Sequence, residues 1–94
     1  MKRIIYEKHE SGFLESKYIY EDSSGIMIKL RIYSNTKGAL INVDTGDEIE
    51  VVEAPFRHEL LIRLKNALVT RGVEFLPEKR NRTTVGVSNG SNDS

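Results

Sequence analysis

Ile26-Met27-Ile28-Lys29-Leu30-Arg31-Ile32-Tyr33 alternates strictly: the even positions are aliphatic, and the odd ones are Met27, Lys29, Arg31 and Tyr33. Successive side chains of a strand point to opposite faces, so a period of two with one wholly aliphatic face marks a strand buried on one side. Such a face needs cover, and the cover lies downstream. Phe56, Leu60, Leu61, Leu64, Ala67 and Leu68 recur at helical spacing and form a single stripe. Pro55 suits the start of that helix. Arg71 and Gly72 suit its end, a cation near the C-terminal dipole followed by a residue free to turn left-handed. The spacing predicts one amphipathic helix over roughly 55–71, laid across a sheet.

Upstream of the deciding strand, Ile5-Tyr6-Glu7 followed by Ser11-Gly12-Phe13-Leu14 is echoed by Ile19-Tyr20-Glu21 followed by Ser24-Gly25-Ile26-Met27. Strand, polar turn, glycine, strand is performed twice, which places strands near 3–8, 13–20 and 26–33 in an antiparallel meander. Glu15-Ser16-Lys17 interrupts the second of these, so a bulge or bend is expected there. Downstream, Ser34–Gly38 is a turn cluster, 39–43 a strand, Asp44-Thr45-Gly46-Asp47 a tight turn and 48–53 a strand. In that last strand Ile49 and Val51 are expected to face the core, with Glu48 and Glu50 in water. Val73–Pro77 reads as an edge strand or extended arm. The fold class is α+β: an antiparallel meander of four to five strands, then one C-terminal helix. Residues 1–77 form one domain, and 78–94 are a disordered polar tail.

The chain has 94 residues, 38% hydrophobic and 30% charged, a globular composition at a size where stability is marginal and self-association often adds burial. It has no cysteine, which excludes disulfides, thiol nucleophiles and thiolate metal sites. No apolar run approaches the roughly 18 residues of a membrane span, and the N-terminus meets a charge too soon for a signal peptide. A cytoplasmic setting without membrane contact is expected. Net charge is zero, but residues 1–54 hold 7 Lys/Arg against 10 Asp/Glu and residues 55–94 hold 7 against 4. A neutral chain argues against a dedicated duplex-DNA binder, since phosphate contacts demand cations.

Three short matches look catalytic and fail on context. Asp44-Thr45-Gly46 resembles the D-T-G loop of aspartic proteases, but Asn42 breaks the apolar lead-in and Asp47 and Glu48 follow where that family keeps small, apolar residues. A hairpin turn explains it. Gly86-Val87-Ser88-Asn89-Gly90 fits a nucleophile elbow but lies in the polar tail, with no helix after it. His58-Glu59 opens a zinc-helix motif that ends on Ile62 instead of histidine, so no metal is expected. No cofactor motif is present, and the chain is read as a non-enzyme.

Two surface features remain. On the helix, Ile62 and Val69 lie off the main stripe and share their side with Lys65 and His58; with Phe75 they are the candidates for a protein interface, including one between copies of this chain. On the sheet, Lys29, Arg31 and Tyr33, joined by Lys17, Tyr18 and Tyr20 from the neighbouring strand, interleave cations with aromatics as a single-stranded nucleic-acid face would. Lys79, Arg80 and Arg82 would add a basic arm. A meander followed by a C-terminal helix is similar in outline to small single-stranded-DNA-binding coactivators that dimerise through their helices. The first expectation is a regulatory or interaction protein that binds protein and self-associates, a profile shared by small accessory proteins of phages and other mobile elements. The alternative is single-stranded DNA or RNA binding.

Overall fold

The computed structural model describes residues 4–75. Among them six strands run in chain order, β1 (Tyr6–Lys8), β2 (Leu14–Ser16), β3 (Tyr20–Glu21), β4 (Met27–Ser34), β5 (Lys37–Asn42) and β6 (Glu48–Glu53), followed by α1 (Arg57–Thr70). All pair antiparallel in one sheet of order β1-β2-β4-β5-β6, with β3 also on β4. The fold is the α+β arrangement expected, an antiparallel sheet with one helix after it.

The deciding strand behaves as its alternation requires. Ile28, Leu30 and Ile32 are buried against the helix side while Met27, Lys29, Arg31 and Tyr33 stand half-exposed on the other. The expected interruption in the second strand is a break into β2 and β3, both paired to β4. Ser16 closes the gap. Its hydroxyl accepts the Leu30 N–H at 2.9 Å and donates to the Tyr18 carbonyl at 3.1 Å, so a backbone donor that lost its ladder partner is not left bare.

Two bulges adjust the sheet. On β4, Tyr33 is the extra residue between the Ile32–Gly38 and Ser34–Lys37 pairs. On β6, Ile49 is the extra residue, because Glu48 opposes Ile41 and Glu50 opposes Leu40. The second bulge corrects the expected facing of β6. Val52 enters the core in place of Val51, which is 46% exposed on the other face, and Glu50 turns to the helix side, where Arg71 meets it at 3.7 Å. Ile49 stays half-buried against the core. A bulge flips every side chain beyond it, which alternation alone does not reveal.

The Asp44–Asp47 segment is a turn. The Asn42 side chain accepts the Asp44 and Thr45 amides, Gly46 donates to the Asn42 carbonyl at 2.7 Å, and Gly46 carries the positive φ.

α1 starts two residues later than expected. Phe56 is its N-cap residue in extended conformation, without a side-chain cap, and is 55% exposed, so it leaves the buried stripe. Leu60, Leu64, Ala67 and Leu68 hold the stripe, over β5 and β6. At the other end Val73 N–H bonds the Leu68 carbonyl (3.0 Å) and Gly72 N–H the Val69 carbonyl (2.9 Å), with Gly72 at φ 94° and Val73 buried: a Schellman cap with its hydrophobic contact. Residues 73–75 run on without forming a strand.

Asp22 fastens this helix end to the sheet. Its carboxylate accepts the Ile26 and Ser24 amides (both 2.9 Å) and the Ser24 hydroxyl (2.8 Å), and faces the Arg71 guanidinium at 3.7 Å. The Ile26 amide bond, helped by Ser24 and Arg71 against the cost of burial, holds the carboxyl below the usual carboxylate range. A depressed folded value gives stability that is full above the unfolded pKa and is lost as pH falls through the folded one. Asp22→Ala is therefore expected to lower the melting temperature at pH 7 by roughly 4–8 °C. The gap from wild type should narrow as pH falls below about 4; thermal melts from pH 7 to pH 2 read both effects.

Candidate interaction surface

The two faces of the sheet differ in how far they are already satisfied. On the outer face, the β2–β4 register sets Glu15 directly opposite Arg31. Glu15 accepts from Arg31 Nε at 2.8 Å, pairs with Lys29 Nζ at 3.0 Å and is largely shielded from water. Burial pushes its carboxyl up, but the hydrogen bonds from Lys29 and Arg31 outweigh that and hold it below the ordinary range. The Arg31 guanidinium lies 4.5 Å above the Phe13 ring, which stacks on His9 at 4.4 Å and meets Tyr33 edge-on at 6.1 Å. Tyr33, re-aimed by its bulge, donates its hydroxyl to Glu48. Burial and that bond push its phenol up.

The aromatics expected to join this face do not. Tyr20 opposes Ile28 on the helix side and is 5% exposed inside the core, and Tyr18 is half-buried against the same core. Both corrections share one cause: the break after Ser16 turns the following residues toward the helix. Lys17 is exposed and pairs with Glu7 at 3.4 Å. The outer face therefore brings together Lys29, Arg31 and Tyr33, already engaged by Glu15 and Glu48. Lys79, Arg80 and Arg82 lie outside the described residues. Phe13, Glu15 and Glu48 were missed because their roles depend on which strands pair; the signal available was Glu15 opening the polar Glu15-Ser16-Lys17 run that interrupts the second strand.

The helix flank is less complete. A groove of about 330 Å³ runs between β1 and α1, lined by Ile4, Tyr6, His58, Leu61, Ile62 and Lys65. Ile62 is 41% exposed at its mouth, and Val69, two turns further along the same side of α1, is 52% exposed. The chain after the helix covers only part of this flank. Val73 is buried, and Phe75 packs on Tyr20 at 5.5 Å beneath the Lys65 ammonium, which sits 5.2 Å from its ring centre. Lys65 and Phe75 thus adjoin, Ile62 opens on the groove, and Val69 stays outside it. The Tyr6 phenol is pushed up by burial, opposed by the nearby Arg57 charge.

Beside the groove lies an open sheet edge. Lys17 N–H bonds the Ile5 carbonyl and His9 N–H the Phe13 carbonyl, both at 2.7 Å. Since ladder bonds alternate along an antiparallel strand, Ile5, Glu7 and His9 turn their backbone to β2 while Tyr6 and Lys8 turn theirs outward. The far edge, β6, is blunted by Glu48, Glu50 and Glu53 and by its bulge; β1 has no bulge. No helix among the described residues is long and apolar enough to cross a membrane. Comparison of the chain with protein families, with curated proteins and with solved structures found no match.

Proposed function

We propose that this chain is a non-enzymatic regulatory or interaction protein, acting in the cytoplasm by binding protein, with the β1–α1 flank as its working surface. The observation that carries the reading is the apolar groove between Tyr6 and Ile62, open to solvent in a domain small enough to need further burial. Beside it run strand amides that find no partner among the described residues. The alternative, single-stranded nucleic acid on the outer face, has less support because Glu15 engages both Lys29 and Arg31.

Panning a random-peptide phage library against the immobilised full chain tests the reading. The expected binders lose at least about tenfold in affinity to Ile62→Glu, a loss near 1.4 kcal/mol, and keep their affinity for Lys29→Ala with Arg31→Ala. Binders indifferent to Ile62→Glu would contradict it, as would a failure to enrich any.

Labelled single-stranded DNA and RNA probe the other face. Wild type is expected to bind weakly at low salt, and Glu15→Gln to bind several-fold more tightly with a steeper salt dependence, because it releases two cations. Tight, salt-sensitive binding by wild type that Lys29→Ala with Arg31→Ala abolishes would establish the nucleic-acid reading instead.

A further inference from the structure

The partner's chemistry follows from the walls of the groove, an inference that rests on the protein-binding reading above. We infer that the β1–α1 flank takes an extended, acidic segment of a partner protein, which adds as a strand to β1 and sets an apolar side chain between two carboxylates against α1.

The backbone argues for an extended occupant. Tyr6 and Lys8 present outward amides that a helix lying in the groove would leave to water, whereas a strand bonds them and aims alternate side chains at the groove. Charge argues for an acidic one. Along the helix wall, Lys65 stands at one end of the apolar lining of Ile4, Leu61 and Ile62 and His58, next to Arg57 in the chain, at the other. His58 and Lys65 are seven residues apart on a helix, about 10 Å along its axis. Side chains four residues apart on a strand are separated by about 13 Å, and long carboxylate side chains absorb the difference. The pattern acid-x-apolar-x-acid therefore fits with its apolar residue opposite Ile62.

A second copy of the chain fits less well. Antiparallel pairing of β1 with itself, whether centred on Ile5, Tyr6, Glu7 or Lys8, turns Ile4, Tyr6 and Lys8 of the second copy to the groove side, and none of these is a carboxylate.

The probe is a capped, dye-labelled peptide containing Glu-Thr-Leu-Thr-Glu, titrated against the full chain by fluorescence anisotropy. Controls are its Lys-Thr-Leu-Thr-Lys counterpart and two N-methylated versions, one at the leucine and second glutamate amides and one at both threonine amides. Both are needed because an antiparallel strand turns the amides of its groove-facing residues to Tyr6 and Lys8 and a parallel strand turns the others. Wild type is expected to prefer the acidic peptide by tenfold or more and to lose tenfold or more on one of the two N-methylations. Ile62→Glu should lose it by a similar factor with an unchanged far-UV spectrum. Arg57→Glu with Lys65→Glu should invert the preference, a gain of function that misfolding cannot imitate. Equal affinity for both peptides overturns the inference, as does indifference to both N-methylations or no binding up to about 1 mM. Light scattering separates the two levels: a dimer that Ile62→Glu dissociates, without peptide binding, makes the occupant a second copy, which overturns this inference and leaves the protein-binding reading standing.

Discussion

Leu64→Ala is expected to cost about 2–5 kcal/mol, a large share of the total stability of a domain this size, about 5–10 kcal/mol. Leu64 has no exposed surface and sits at the centre of the buried stripe of α1. Beneath it is Gly38 of β5: a Cβ placed there would lie 3.2 Å from a Leu64 methyl and 2.9 Å from the Arg31 carbonyl oxygen. The glycine lets the helix approach the sheet closely, so Leu64 sits directly over the Gly38 backbone, which has no side chain to fill the space that truncation leaves. Urea denaturation should show a lower midpoint with little change in slope. A loss under about 1 kcal/mol would mean that α1 does not rest on Gly38.

Gly72→Val is expected to cost about 2–5 kcal/mol, the sum of two separable effects. The first is conformational, since φ is 94° and a β-branched residue resists left-handed backbone. The second is steric. A Cβ at position 72 would stand 2.6 Å from Ser23 Cβ, and Ser23 is held where it is by its amide and hydroxyl, both 3.0 Å from the Arg71 carbonyl oxygen. Gly12 is the control: its φ is 92°, but a Cβ there meets nothing within 4 Å. Gly12→Val should show the conformational cost alone, about 1–2 kcal/mol, and the difference between the two variants measures how tightly the helix end is docked on the β3–β4 turn.

The elements that could be read from the sequence are those whose own residues decide them. β4 carries its alternation within eight residues, the turn after β5 carries its cap in Asn42, two residues before Asp44, and the end of α1 is set by Gly72. What could not be read depends on partners distant in sequence. The bulge at Ile49 exists only relative to β5, so Val51 and Val52 exchange faces without any local sign. The outer face looked basic and aromatic along β4 alone. Only the pairing of β2 with β4 puts Glu15 between Lys29 and Arg31, and only the break after Ser16 sends Tyr18 and Tyr20 to the helix side. For the interaction surface, Ile62, Val69 and Lys65 were legible from the helical wheel, because a second apolar pair off the buried stripe is a property of α1 itself. Ile4 and Tyr6, which form the opposite wall, were not, since nothing local says that β1 ends up beside that flank.

The account stands on α1 covering the β4–β6 part of the sheet while its own flank, facing β1, stays open. Methyl spectra of the isoleucines, recorded with a soluble neutral paramagnetic agent, measure this directly. The expected result is strong broadening at Ile62, with Ile28, Ile32 and Ile41 unaffected. A shielded Ile62 in the free monomer, or broadening at Ile28 and Ile32, would contradict it.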